Sequence, residues 1–92
     1  MLEVEYYKTE QGRSPFKEWF DALDSTARAR VGIAIDRLAA GNISGLKSLG
    51  SGLFELRIFF GPGYRVYLGR HGSNLVVLLA GGTKQRQYRD ID

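Results

Sequence analysis

A chain of 92 residues is long enough for one small domain, because chains of this size bury only about 60% of the surface that they expose when unfolded. A composition of 43% hydrophobic and 12% aromatic residues is typical of a globular core and excludes a disordered tail. The absence of cysteine excludes disulfide frameworks, thiolate zinc sites and cysteine nucleophiles. We therefore predict a single domain over residues 1–92. Since the chain shows no signal segment and no apolar run of about 20 residues, we also expect a cytoplasmic protein with no membrane partner.

The positive charge lies in the second half of the chain. Residues 1–46 hold seven acids and six bases, whereas residues 47–92 hold three acids and seven bases. Glu55 is the only acid between Lys47 and Arg89. We expect this half to carry positive potential, which favours a phosphate-bearing or acidic partner.

The first half of the sequence predicts a strand followed by two helices. Alternation of apolar and polar residues over 3–7 predicts a short strand. Ser14 directly before Pro15 is typical of a helix start, and aromatic residues then recur at helical spacing. Asp24 can cap a second helix, which ends at Gly41. The short connection predicts that the two helices pack as a hairpin.

The second half predicts a three-stranded antiparallel meander. Apolar runs over 53–60, 64–69 and 75–80 are separated by short glycine-containing loops. The last run is apolar on both faces, which predicts a central strand. The polar residues 83–92 predict a short C-terminal helix. The predicted fold class is therefore α+β.

The first hairpin of the meander is predicted to bring two cations together. A three-residue loop over 61–63 would place Ile58 opposite Val66 and make Arg57 and Arg65 diagonal neighbours on one face. That face would also display Glu55, Phe59 and Tyr67. A bound phosphate would relieve the repulsion between the two guanidinium groups. The alternative is that each arginine pairs with Glu55 or faces water.

Other functional patterns are weak. The segment Gly81-Gly82-Thr83-Lys84 ends like a phosphate loop but lacks the preceding spaced glycine. His71 is the only histidine and lies in a predicted turn, so neither a metal cluster nor a Ser/His/Asp triad has its usual parts. We predict neither a metal nor a cofactor.

Three segments of the second half carry a resemblance to known proteins. They read GLFELRI at 52–58, GPGYRVY at 61–67 and LLAGGTK at 78–84. They resemble the RelE/ParE superfamily of toxins and, within it, the phage Gp49-like, HigB-type branch of addiction-module killer proteins. The resemblance implies a RelE-like fold. It also implies a toxin that is neutralised by a co-encoded antitoxin, usually with a helix-turn-helix DNA-binding domain.

The resemblance also implies an activity. Many members of the superfamily are metal-independent endoribonucleases that cut mRNA in the ribosomal A site, whereas the ParE branch inhibits DNA gyrase, and the fold alone does not separate the two. By position, the residues that match the phosphate-binding and catalytic sites of the ribonucleases are Arg57, Arg65, Lys84 and Tyr88. The RNA-binding candidates are Lys47, Tyr67, Arg70, Arg86 and Arg89.

Two features depart from the pattern of this branch. Some HigB-type members use histidine as acid or base, whereas His71 lies in a predicted turn away from the proposed phosphate site. Relatives often continue with several more helical residues, whereas this chain stops at Asp92. Three hypotheses follow: a ribosome-dependent mRNA endoribonuclease, which is favoured, a non-enzymatic gyrase inhibitor, and an attenuated toxin that binds antitoxin or RNA without cleaving.

Overall fold

The fold combines one mixed β-sheet with two helices, which confirms the predicted α+β class. The computed structural model describes residues 1–83. In chain order, the elements are β1 (Glu3–Tyr6), α1 (Pro15–Asp21), α2 (Ser25–Ala39), β2 (Leu46–Gly50), β3 (Leu53–Ile58), β4 (Tyr64–His71) and β5 (Leu75–Thr83). The helix predicted over 83–92 lies outside the described residues, apart from Thr83, which ends β5. Within residues 1–83, neither helix combines the length and apolar character that a membrane crossing requires.

The five strands form a sheet in the order β1-β5-β4-β3-β2. β1 runs parallel to β5, whereas the other neighbouring pairs are antiparallel. The prediction that the most apolar run forms a central strand is confirmed, since β5 lies between β1 and β4. β2 was not predicted as a strand, because its sequence lacks the alternation of a half-buried strand and nearly all of its residues are exposed at the sheet edge.

Both predicted helix starts are confirmed by their capping hydrogen bonds. The Ser14 hydroxyl accepts a hydrogen bond from the Lys17 N–H (3.2 Å), and the Asp24 carboxylate accepts one from the Ala27 N–H (2.8 Å). These bonds satisfy N–H groups that the first turn of a helix leaves without a partner.

The helices bury one face of the sheet. The buried hydrophobic side chains come from both helices and from alternate positions of β3, β4 and β5: Phe16, Ala27, Val31, Leu38, Leu56, Ile58, Tyr64, Val66, Leu68, Val76 and Leu78. Helix α1 approaches β5 so closely that a Cβ at Gly81 would overlap the indole ring of Trp19. This contact therefore requires glycine at position 81.

The predicted register of the β3–β4 hairpin is wrong by two residues. Ile58 pairs with Tyr64 rather than with Val66, and Arg57 lies directly opposite Arg65 rather than diagonal to it. The loop is longer than predicted because two tight turns occupy residues 59–63, so β3 ends at Ile58 and not at residue 60. A shift of two residues keeps every side chain on its predicted face, since side chains alternate with a period of two.

The ends of β4 and β5 also differ from the prediction. β4 continues to His71 instead of ending at residue 69, and β5 continues to Thr83 instead of ending at residue 80. The extension pairs Gly82 with Arg65 and Thr83 with Tyr64. Pairing with β4 therefore keeps Gly81 and Gly82 in the strand, although glycine by itself disfavours a strand.

Candidate phosphate-binding site

Two arginines and one glutamate lie side by side on the sheet face that points away from the core. Glu55 and Arg57 alternate with core residues of β3, and Arg65 does so on β4. Arg57 and Arg65 are direct cross-strand partners, and Glu55 is the diagonal neighbour of Arg65. The local pattern of two short strands thus places three charged side chains within reach of one another.

The Glu55 carboxylate holds both arginines. Its Oε1 accepts a hydrogen bond from Nε of Arg57 at 2.6 Å, and its Oε2 accepts one from Nη1 of Arg65 at 3.0 Å. The Glu55 side chain is 3% exposed, whereas the Arg57 and Arg65 side chains are 37% and 19% exposed. The buried anion therefore fixes two cations that still reach the surface. We call these three side chains the arginine clamp.

The arginine clamp keeps a net positive charge. One carboxylate offsets only one of the two guanidinium groups, and each guanidinium gives a single N–H to Glu55 among residues 1–83. The remaining N–H groups are donors of the kind that recognises phosphate. Because Glu55 already orders both side chains, less conformational entropy is lost when an anion binds.

The protonation state of Glu55 follows from its neighbours. Burial acts to raise the pKa of this carboxyl, but the hydrogen bond from Arg57 and the charges of Arg65 and Arg57 outweigh it, so the pKa lies below its ordinary value. Glu55 is therefore an anion at neutral pH.

Tyr67 lies directly opposite Glu55 and supplies a half-buried phenol beside the clamp. Burial and the negative charge of Glu55 raise the pKa of Tyr67, against the opposing effect of Arg65 and Arg57. Its hydroxyl oxygen is buried and makes no hydrogen bond of standard geometry within residues 1–83, although the Arg65 guanidinium acts on it. The phenol is therefore protonated at neutral pH and keeps its capacity to donate a hydrogen bond.

A pocket of about 300 Å³ opens beside the clamp at the β3–β4 loop. Residues 57–65 line it, so both arginines contribute to its wall together with the loop residues Phe59 and Phe60. Two guanidinium groups at the wall of an open pocket can bind a phosphate and stabilise negative charge that develops on it.

Comparisons with known proteins place the chain in a family. The sequence profile of the phage-derived, Gp49-like proteins (DUF891) matches residues 18–90, which is most of the chain. The chain belongs to the Gp49-like family. This family is part of the RelE/HigB-type group of toxins, so the coarse part of the expected resemblance is confirmed.

A relative in Haemophilus influenzae (strain Rd KW20) supports the same conclusion. It is 46% identical over 77 residues, which cover 83% of this chain and 78% of the relative. That relative is described as an uncharacterized protein, so it adds no activity to the comparison.

The structure brings some of the predicted site residues of this Gp49-like protein close together. Arg57, Arg65 and Tyr67 are neighbours. Lys47 of β2 lies on the same face because it pairs with Glu55 of β3. Their roles stay predictions. The remaining catalytic and RNA-binding candidates of the C-terminal segment lie outside the described residues: Lys84, Arg86, Tyr88 and Arg89.

Arg70 and His71 lie apart from the arginine clamp. Arg70 occupies the same alternate positions of β4 as its core residues, so it belongs to the helix-covered face, and its guanidinium lies 6.0 Å from the centre of the Phe54 ring. His71 is the exposed last residue of β4, whereas Arg65 is near the other end of that strand. Neither side chain is brought to the pocket.

The alternative that each arginine pairs with Glu55 is confirmed. The signal for this pairing is the position of Glu55 two residues before Arg57, on the same face of the strand. Phe59 was expected on the strand and lies in the loop instead, with 90% of its surface exposed. The signal for its position is the turn-forming sequence Gly61-Pro62-Gly63 that follows.

Proposed function

We propose that this Gp49-like protein is the toxin of a toxin–antitoxin system and acts as a metal-independent endoribonuclease on mRNA in the ribosome. The arginine clamp is the observation that carries the proposal. It presents two directly opposed guanidinium groups at an open pocket, where negative charge on a phosphate would be stabilised. Membership in the RelE/HigB-type group supports the toxin role and a cognate antitoxin as partner.

The proposed reaction uses the RNA itself as the nucleophile. The 2′-hydroxyl oxygen forms a bond to the adjacent phosphorus, and the bond from phosphorus to the 5′-oxygen of the next nucleotide breaks. The products are a 2′,3′-cyclic phosphate and a 5′-hydroxyl, so one proton leaves the 2′-hydroxyl and one reaches the 5′-oxygen. Arg57 and Arg65 would stabilise the added charge of the phosphorane transition state.

The proton carriers are part of the proposal and rest on the family resemblance. Lys84 and Tyr88 match catalytic positions of the ribonuclease members, and Tyr67 adds a protonated phenol beside the clamp. The ribosome and the messenger would supply much of the positioning, which reduces what this small chain must provide.

The proposed antitoxin covers the cationic face. A segment with acidic side chains fits the net charge of the clamp and would compete with phosphate for Arg57 and Arg65. The resemblance favours an antitoxin with a helix-turn-helix DNA-binding domain.

The function is tested by mapping mRNA 5′ ends in a coupled translation reaction with purified protein. Primer extension is performed on messenger that is engaged by ribosomes and on the same messenger without ribosomes. We expect new 5′ ends only on engaged messenger, and we expect them to disappear when the cognate antitoxin is added first.

A matched gyrase assay separates the main alternative. Unchanged messenger together with blocked supercoiling by gyrase would contradict the endoribonuclease proposal and favour a ParE-like inhibitor. Unchanged messenger, normal supercoiling and intact antitoxin binding would instead favour an attenuated toxin that binds without cleaving.

A further inference from the structure

We infer that Phe59 is a stacking platform for one base of a single-stranded RNA whose phosphate lies on the arginine clamp. The inference rests on the proposed function and names the part of the substrate that the pocket takes in addition to phosphate. Phe59, Arg57 and Arg65 line the same pocket of about 300 Å³. In a single strand, each base is joined to its phosphate through one ribose, so one pocket can hold a base and its phosphate.

The backbone projects Phe59 from the sheet. The Phe60 N–H donates a hydrogen bond to the Ile58 carbonyl at 3.1 Å, which closes a three-residue turn with Phe59 at its centre. The side chain is 90% exposed, in contrast to the neighbouring Ile58 in the core. The turn therefore directs this ring into solvent at the rim of the pocket.

The loop that carries Phe59 is anchored next to the ring. Phe60 packs against the core, and the guanidinium of Arg30 on α2 lies 4.7 Å from the centre of its ring. The Gly63 N–H donates to the Phe60 carbonyl at 3.0 Å and closes a second turn. Gly61 has a φ of +58° in that turn, a conformation that favours glycine. Pro62, the next residue, further restricts the backbone of the turn. An anchored loop presents the ring at a low entropic cost of binding.

The chemistry of the pocket favours a nucleobase over a purely apolar ligand. A lone exposed aromatic is common on protein surfaces, but this one shares a pocket with two cations that recognise phosphate. Single-stranded nucleic acids are bound by this combination of basic groups and aromatic faces. Because every base has a π-face, the platform would accept different bases and leave sequence choice to other contacts.

The test is fluorescence anisotropy with a short labelled RNA whose 2′-hydroxyls are methylated, so that it is bound and not cleaved. We expect Phe59→Ala to raise the Kd about 5- to 150-fold, the range found for loss of one base–aromatic stack. Phe59→Trp should bind as tightly as the parent protein, whereas Phe59→Leu, which is apolar without a π-face, should bind as weakly as Phe59→Ala. Ile33→Ala removes a half-exposed apolar side chain from α2 and should leave the Kd unchanged.

An abasic strand of the same length isolates the stacking contribution. It keeps the phosphates and lacks the bases, so the parent protein should bind it as weakly as Phe59→Ala binds the normal strand. Phe59→Ala should then lose little further affinity on the abasic strand. Equal affinity of the parent protein and Phe59→Ala for the normal strand would overturn the inference.

The double variant Arg57→Ala/Arg65→Ala separates this inference from the proposed function. If the double variant loses binding while Phe59→Ala binds like the parent, the phosphate site stands and the stacking platform is wrong. If the double variant binds like the parent, the proposed phosphate site itself is wrong. If Phe59→Ala weakens only antitoxin binding, the ring belongs to a protein interface and the RNA assignment is overturned.

Discussion

Glu55 makes two directly opposed arginines compatible with a folded sheet. Like charges on cross-strand partners repel, and the carboxylate between them removes much of that cost by giving one oxygen to each guanidinium. The same contacts fix the positions of both guanidinium groups, and both arginines line the pocket. We therefore assign Glu55 a positioning role, with no contact to the substrate required.

Glu55→Gln should lower the free energy of unfolding by about 1–3 kcal/mol at neutral pH, because it removes charge-assisted hydrogen bonds of a buried group. The folded-state pKa of Glu55 lies below its ordinary value of 4.5, so the carboxylate stabilises the fold above that pH. The contribution is lost as the pH falls from 4.5 through the folded-state pKa. Urea unfolding of both proteins from neutral pH to about pH 3 should show the difference shrinking across that window.

Glu18→Gln is the matched control for this titration. Glu18 also pairs with an arginine, Arg13, but both side chains are exposed, so we expect a much smaller change in stability. A Glu55→Gln difference that stays constant down to the acid end of the titration, or that equals the difference for Glu18→Gln, would contradict the positioning role.

The sequence identified the cations of the site and offered Glu55 as their partner, but it did not predict that the two arginines lie directly opposite each other. Alternation along β3 and β4 was enough to place Arg57 and Arg65 on one face. Their direct pairing and the ion pair between Arg65 and Glu55 depend on the hairpin register, which is set by turns that the apolar pattern does not encode.

At the level of elements, α1 is seated on β5 by one close contact. The indole of Trp19 occupies the space that a side chain at Gly81 would need. A Cβ at the next residue, Gly82, would meet no atom within 4 Å, and Gly82 pairs with Arg65 on the neighbouring strand. Steric exclusion by Trp19 therefore explains the glycine at position 81 but not the one at position 82.

Gly81→Ala should lower the free energy of unfolding by about 1–3 kcal/mol, because overpacking displaces Trp19 from β5. Gly82→Ala should change it by less than about 0.5 kcal/mol, as expected for a substitution into open space. Thermal or urea unfolding of the two variants gives the comparison. Equal stability of the two variants would contradict the proposed packing of α1.

Most of the element order was predictable, whereas the edge strand β2 was not. Capping residues and helical periodicity indicated α1 and α2, and the apolar run of β5 indicated a central strand. β2 escaped prediction because its residues, which pair with β3 at the sheet edge, are mostly exposed and show no alternation. Its stability comes from hairpin pairing with β3, which residues 46–50 alone do not report.

At the level of the whole molecule, the charges on the sheet face that points away from the helices change sign across the sheet. Lys47, Arg57 and Arg65 share the face that points away from the helices. Glu3 and Glu5 lie on the same face at the opposite edge of the sheet, since they pair with Leu75 and Val77 of β5. Such polarity would orient a nucleic-acid backbone toward the clamp before contact.

This polarity predicts the salt dependence of RNA binding. Each phosphate contact to a single strand contributes roughly 0.7 to the slope of log K against log salt, so Arg57→Ala/Arg65→Ala should reduce the slope by about 1.4. Lys8→Ala/Arg37→Ala removes the same charge from other parts of the surface and should leave the slope unchanged. Anisotropy titrations over a series of salt concentrations give both slopes, and equal slopes for the two double variants would contradict the assignment of the phosphate site.

The central claim is that the arginine clamp stabilises the charge that develops during cleavage of RNA. The most direct measurement is the single-turnover rate at which the folded protein cuts mRNA in the A site of programmed ribosomes. With both arginines replaced by alanine, we predict a rate at least about 100-fold lower than that of the parent, since each lost charge-stabilising donor costs about that factor or more. Cleavage by the folded double variant at the parental rate would contradict the account.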